Sequence, residues 1–327
     1  MPRFLLLGAG FSRNWGGWLA SEVADDLYLL WRLRAQPQFC EILVDRGFED
    51  AFHEIQTRFR ANNGALNDLL ALQAAIEQTF RAMNLAFIER SALNFSSDAA
   101  FSVIDFLARF DAIFTLNQDL LLEMHYLGVE LANRRQWNGI QWPGVRALPV
   151  AAHAGTPLGR REILDQRRTT VQEAPTIENG LQPIFKLHGS SNWYEGEGAN
   201  RPPMMVIGGE KRRAIEANPL LSFYGEYFRD RLREQNALLM TIGYGFADEH
   251  VNDAICDAHD TGNNFGLFVV NPSGRKVLDK RDPRAQIQDH PGRLMGVRYV
   301  GGSSRPLSAT YAGDLLEHAK LLRFFEG

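Results

Sequence analysis

Asn117 and Asp119 follow the apolar run Ala112-Ile113-Phe114-Thr115 and lie two residues apart, so an extended backbone points both the same way. An amide there both donates and accepts, which suits ribose hydroxyls or a water held near an anomeric carbon. Asp119 also precedes Leu120-Leu121-Leu122, and simple capping of a following helix competes with that role, with Asn117 holding a turn. His188 follows Ile184-Phe185-Lys186-Leu187 and precedes Gly189, a context that the other histidines lack. A neutral imidazole at such a strand end can take a proton from a ribose hydroxyl or activate water, and a structural histidine is the competing reading.

The run Arg3 to Leu7 leads straight into Gly8-Ala9-Gly10-Phe11-Ser12. Glycines there let backbone approach a pyrophosphate, the next helix offers free N–H groups, and Ser12 adds a hydroxyl donor. The third glycine of the G-x-G-x-x-G pattern is replaced by Arg13, with Gly16 and Gly17 following, so a plain tight turn competes with nucleotide binding. Gly243-Tyr244-Gly245-Phe246 follows another apolar run and again permits contact between backbone and ligand. Asn271 closes a further run, its amide placed to touch an adenine ribose. Asp248 either joins the site or caps a helix containing Val251, Ala254 and Ile255.

The elements that must position these residues are the runs Arg3 to Leu7, Ala112 to Thr115, Ile184 to Leu187, Ala237 to Ile242 and Leu267 to Val270. Runs apolar on both faces suit a parallel sheet buried between helices, where ligands bind beyond the carboxyl ends of the strands. The expected fold is α/β, a Rossmann-like parallel sheet. Leu69, Leu72, Ile76, Phe80, Met83 and Phe87 recur at helical spacing and predict a long amphipathic helix. Phe39, Ile42, Leu43, Phe48, Phe52 and Ile55 predict a helical pair broken at Gly47. Residues 41–104 are thus expected as an inserted helical module, able to roof the pocket or supply an oligomer surface, within a nucleotide-binding domain of residues 1–40 and 105–327. The segment from Glu130 to about Gly180 takes no assignment, and its run Gly159-Arg160-Arg161-Glu162 reads as a solvated face. Glu195 to Pro203 reads as an exposed loop, Leu294 to Val300 as a strand stopped by Gly301-Gly302, and Asp314 to Phe325 as an amphipathic helix.

Composition narrows the class. With 45% hydrophobic and 23% charged residues, the 327-residue chain is ordinary globular material, long enough for one elaborated domain. A formal net charge of −4 leaves no whole-chain footprint for nucleic acid or an anionic membrane. Cys40 and Cys256 cannot supply a disulfide framework or a four-thiolate zinc module, which fits a reducing cytoplasm. The opening apolar run is too short for a signal or membrane segment.

Taken in order, Gly8-Ala9-Gly10-Phe11-Ser12, Thr115-Leu116-Asn117-Gln118-Asp119, Leu187-His188-Gly189, Ile242-Gly243-Tyr244-Gly245-Phe246 and Val270-Asn271 make the sequence resemble the sirtuin family. The resemblance implies that these motifs line one NAD pocket. On it, Gly8, Ala9, Gly10, Phe11 and Ser12 hold the pyrophosphate, Asn117 and Asp119 contact ribose and the nicotinamide side, and His188 is the general base. Gly243, Tyr244, Gly245 and Asn271 complete the cofactor contacts. Protein-deacylating sirtuins follow their glycine loop with proline-aspartate-phenylalanine-arginine, where Arg13-Asn14-Trp15-Gly16-Gly17-Trp18 stands here, and they carry a four-cysteine zinc module. The sequence is therefore more similar to the bacterial antiphage-defence branch, which hydrolyses NAD. That resemblance implies NAD as substrate without a metal, ADP-ribose and nicotinamide as products, and a homo-oligomer. It also implies activation through a partner, a motor ATPase (HerA-like) or an Argonaute-like protein, with nucleic acid met only through that partner. An NAD-dependent deacylase and a catalytically silent NAD-binding regulatory subunit are the alternatives.

Overall fold

The first strand, β1 (Arg3–Leu7), has no polar side chain after Arg3, and Phe4 to Leu7 are all buried. Such a strand needs hydrogen-bonded neighbours on both edges and packed layers on both faces. The computed structural model supplies them; it describes residues 1–31, 37–61, 66–90, 92–127, 137–146, 156–170, 174–195, 204–208, 210–279 and 292–326. The remaining strands are β2 (Ala112–Thr115), β3 (Gly139–Gln141), β4 (Arg168–Thr169), β5 (Leu181–Lys186), β6 (Trp193–Tyr194), β7 (Leu238–Ile242), β8 (Gly266–Val270) and β9 (Tyr299–Ser303). Seven of them form one parallel sheet in the order β3-β5-β2-β1-β7-β8-β9, and β4 pairs separately with β6. The fold is mixed α/β and Rossmann-like, as the apolar runs predict.

Register matters more than order for function. Leu7 is level with Thr115 on one side and Ile242 on the other, Thr115 with Lys186, and Ile242 with Val270. The carboxyl ends of five adjacent strands therefore stop at one edge. Chain connections run outward from β1 in opposite directions, so the turn after β1 and the turn after β7 meet at the switch point, where ligands of open α/β sheets bind.

Those two turns interlock through bare backbone. Gly10 N–H donates to the Gly243 carbonyl (3.0 Å), and Gly243 has φ +64°. A Cβ at Gly10 would lie 2.7 Å from Gly243 Cα, and one at Gly243 only 2.3 Å from Gly10 C and Phe11 N. The glycines are thus required by contact between two turns, before any ligand is considered.

Between β1 and β2 lie helices Ala20–Trp31, Pro37–Arg46, Phe48–Arg60 and Leu66–Ile88. The expected stripe is realised: Leu72, Ile76, Phe80, Met83 and Phe87 are buried. Gly47, at φ +88°, separates the expected pair. Helix Ala20–Trp31, within the residues 1–40 expected in the nucleotide-binding domain, packs on Leu66–Ile88, and Thr79 Oγ1 donates to Asp26 Oδ2 at 2.6 Å. These helices share one continuous apolar core with the sheet.

Three expectations need correction. Arg160 is not solvated: it is 3% exposed and its guanidinium donates to the Ile88 carbonyl at 2.7 Å and to that of Arg90, closing the end of the long helix. Leu294 belongs to the short helix Arg293–Gly296 rather than to a strand. Gly301 and Gly302 lie within β9 instead of stopping it, because pairing with Phe268 and Val269 of β8 supplies their backbone bonds. The unassigned segment contributes β3, helix Pro157–Asp165 and β4, while 130–136, 147–155, 171–173 and 196–203 fall outside the described residues. The C-terminal helix runs Leu315–Leu322 and ends in a 3₁₀ turn, Arg323–Phe325.

Gly10→Ala is expected to cost about 1–3 kcal/mol, since its new methyl meets backbone that cannot rotate away. Urea unfolding measures this; an unchanged midpoint would mean that the two turns can part freely.

Candidate functional site

A cavity of about 850 Å³ lies beyond the aligned strand ends. Its walls include Gly8, Ala9, Gly10, Asn117, Asp119, His188, Gly243, Tyr244, Gly245 and Asn271, drawn from five strand ends. Phe80 and Met83 from the long helix, and Glu49 from the preceding pair, complete it on the helical side. Phe11 and Ser12 do not line this space. Phe11 is buried with its ring centroid 4.9 Å from that of Trp15, and Ser12 sits beneath the floor.

Ser12 nonetheless organises the site. Asn117 Nδ2 donates to Ser12 Oγ and to the Gly8 carbonyl, both at 3.0 Å. The Ser12 hydroxyl also hydrogen-bonds the Asp119 side chain, whose Oδ1 accepts from Leu121 N–H at 3.0 Å. Asp119 therefore holds the next turn and lines the cavity at once. Its carboxyl pKa is raised by burial, against the opposing pull of Lys186 and Ser12.

Lys186, the last residue of β5, has its ammonium buried under the same loop. It donates to the Asp119 carbonyl (2.5 Å), to Glu123 Oε1 (2.7 Å) and to Ser190 Oγ (2.9 Å). A buried cation is tolerable only with such partners. Here the ion pair pins the segments that carry Asp119 and His188 to each other.

His188 is almost fully buried, and Gly189 beside it has φ +75°; a Cβ there would strike the Met204 carbonyl at 2.0 Å. The ring faces a polar cluster that the strand motifs alone do not reveal. His188 Nε2 lies 3.1 Å from His250 Nε2 and 4.0 Å from Asp248 Oδ1. Lys211 Nζ bridges Asp248 Oδ1 (2.7 Å) and Glu49 Oε1 (2.8 Å). Burial pushes His188 down to about 3, so the imidazole is neutral, and the nearby Asp248 carboxylate is the group that favours its taking up a proton. Burial also works against the Lys211 ammonium, but Asp248 and Glu49 outweigh it and its pKa is raised. Asp248 stands at the N-cap of helix Glu249–Asp260 without a side-chain capping bond, because its carboxylate is turned to Lys211 and His188. Capping thus loses to the charge cluster.

His188, Asp248 and His250 each offer a ligand atom, all within 4.8 Å of one another, a spacing that can hold a metal ion. The donor set fits a cation poorly, since the Lys211 ammonium already occupies Asp248 Oδ1. Without a metal, the two imidazoles form a path along which a proton taken up by His188 can move toward His250.

Residues 111–290, more than half of the chain, match the SIR2-like domain family. The chain belongs to that family. Its function is accordingly of the NAD-dependent sirtuin type, and the SIR2-like match spans β2 to β8, with Asn117, His188, Asp248, His250 and Asn271 inside it. Among solved structures, the chain is similar to one described as Sir2Tm bound to a propionylated peptide. The two share 11% identity over 97% of this chain and 93% of that one, with a TM-score of 0.36. No curated protein matches the sequence.

In this SIR2-like chain the motif residues that follow strands were legible, whereas Lys211, Glu49 and His250 were not. His250 lies two residues beyond Asp248 and carried a signal only in that proximity. Lys211 sits in the charged run Glu210-Lys211-Arg212-Arg213, and Glu49 on a helix remote in sequence, so neither had one. Among the described residues no helix is long and apolar enough to cross a membrane.

The depressed histidines set a pH dependence. His125, buried with Nε2 2.8 Å from the Phe87 carbonyl, is pushed down to about 4 by burial, and His188 to about 3. From the ordinary 6.5 down to those values, the unfolded chain binds protons that the folded chain refuses. Stability is therefore present above that window and is lost as pH falls through it, by up to about 1.4 kcal/mol per pH unit for each group. Urea unfolding between about pH 7 and about pH 4.5 should show this slope, and His125→Gln should flatten it. A slope identical in the variant would remove His125 from the account.

Proposed function

We propose that the protein is an NAD glycohydrolase, cleaving the nicotinamide–ribose bond to give ADP-ribose and nicotinamide. The observation that carries the reading is the convergence of Asn117 and His188, from the ends of β2 and β5, on one cavity closed by the glycine turns after β1 and β7. Its volume, about 850 Å³, is sufficient for a dinucleotide.

The chemistry follows from the bond to be broken. Nicotinamide leaves as a neutral base from a cationic pyridinium, so the transition state has oxocarbenium character and needs ribose positioning and charge stabilisation. The Asn117 amide is anchored through Nδ2 to Gly8 and Ser12, which fixes its carbonyl oxygen relative to the cavity. The neutral His188 takes a proton from a ribose hydroxyl or from water, and His250 and Asp248 lie beside it to share the resulting charge.

Water as acceptor is supported by the segment that replaces the deacylase motif. Trp15 is buried, its indole N–H donates to the Leu93 carbonyl at 3.1 Å, and its ring stacks on Phe95 with centroids 4.9 Å apart. Asn14 donates through Nδ2 to the Gly10 carbonyl and accepts through Oδ1 from Ser308 N–H. Trp15 and Asn14 are thus held by packing and loop bracing, and Arg13, Asn14 and Trp18 line the cavity where the deacylase motif would stand. In a cell, such an activity would serve antiphage defence by depleting NAD, held in check until oligomerisation or a partner motor ATPase or Argonaute-like protein releases it.

Purified protein, alone and with its activating partner, should convert NAD to ADP-ribose and nicotinamide, followed by chromatography. Asn117→Ala and His188→Ala should each lower the rate by about 10²-fold or more. Survival of turnover in both variants would overturn the assignment of roles, and acetyl-ADP-ribose formed from an acetylated peptide would make the protein a deacylase.

A further inference from the structure

The two ends of the cavity differ in charge. Its acidic lining residues are Glu49, Asp119 and Asp248, and its cationic ones Arg13, Lys211 and Arg305. Glu49 and Asp248 both pair with Lys211, and Arg13 pairs with Glu22. Asp119 lies buried after β2, on the opposite side of β1 from β8 and β9. Arg305 follows β9 at the other end, beside Asn271, Pro272, Ser304 and Ser308. No carboxylate lines the cavity among these residues beyond β8 and β9.

Arg305 is rooted firmly but its head is free. Its N–H donates to Ser303 Oγ at 3.1 Å, the Ser303 carbonyl accepts from Asn271 N–H at 3.0 Å, and Leu307 is wholly buried. Pro306 restricts Arg305 to extended backbone. Ser308 N–H donates to Asn14 Oδ1 at 3.0 Å, tying the loop to the helix after the first glycine turn. The guanidinium is exposed and makes no hydrogen bond or ion pair among the described residues. Glu317, the acid that feels its charge, is already held by Lys320 and Ser303.

Asn271, expected at the adenine ribose, is itself engaged. Its Nδ2 donates to the Tyr244 carbonyl at 3.1 Å and its Oδ1 accepts from Ser273 N–H at 2.9 Å. Dinucleotide sites selective for an unphosphorylated ribose place a carboxylate against the 2′-hydroxyl, whereas an arginine there accommodates a 2′-phosphate. Among the described residues, the end of the cavity beyond β8 and β9 has the arginine and no carboxylate.

Building on the dinucleotide reading above, we infer that the end of the cavity beyond β8 and β9 receives an adenosine 2′-phosphate. Arg305 reads the phosphate as a two-pronged donor, with the Ser304 and Ser308 hydroxyls beside it. The protein then accepts the phosphorylated dinucleotide as well as NAD.

Calorimetry on the full chain with ADP-ribose and with 2′-phospho-ADP-ribose tests this without turnover. The phosphorylated compound should bind at least as tightly at low salt, and its affinity should fall as salt rises. Arg305→Ala should weaken it about tenfold more than it weakens ADP-ribose, and Arg305→Glu should weaken it further. Equal losses for both compounds, or a tenfold preference of the unaltered protein for ADP-ribose, would overturn the role of Arg305 while leaving the dinucleotide site standing. Binding of neither compound would remove the dinucleotide site itself, and this inference with it.

Discussion

The contact between the glycine turns after β1 and β7 is the constraint on which the other loops depend. Gly10 and Gly243 meet backbone to backbone, with no room for a side chain on either. The first turn then becomes a hub. Asn117 reaches it from the end of β2, Gly243 from β7 and Ser308, through Asn14, from beyond β9. Because the strands stop in register, these ties are short and direct. Each is a hydrogen bond that a displaced turn would leave unmade in a partly buried setting, and an unpaired polar group that is wholly buried costs about 1–3 kcal/mol.

Electrostatics are arranged around that hub in two groups, one buried and one reaching the surface. Beneath the floor, Lys186 and Glu123 join the segments carrying Asp119 and His188. Across the cavity, Lys211 spans Asp248 and Glu49, linking the loop after β7 to the helical segment. Between them stands an imidazole kept neutral by burial, with a second imidazole in contact. A neutral base beside a fixed carboxylate suits a reaction in which positive charge grows on a sugar, since the base adds no repulsion of its own.

The helices inserted between β1 and β2 are part of the site as well as of the core. Phe80 and Met83 face the cavity from the same stripe that buries Ile76 and Phe87. The Glu49–Lys211 pair fastens this cover electrostatically. Any motion that opens the cavity on this side must separate both apolar contact and an ion pair.

The sheet and its strand-end motifs were legible in the sequence because a strand buried on both faces leaves a short apolar run, and a turn of glycines or an isolated polar residue after it stands out. The long helix was legible from its period, Leu72 to Phe87. The sequence alone therefore determined which residues end up at the carboxyl edge of the sheet. It did not determine their partners. Tertiary structure alone decided that Phe11 and Ser12 lie under the floor, that Asp248 faces Lys211 instead of capping its helix, and that Arg160 is buried. It alone brought Glu49, Lys211 and His250 to His188. The physical reason is range: strand and helix patterns are set by neighbours a few residues away, whereas burial of a charge and the partner that permits it are set by segments separated by tens to hundreds of residues in the chain.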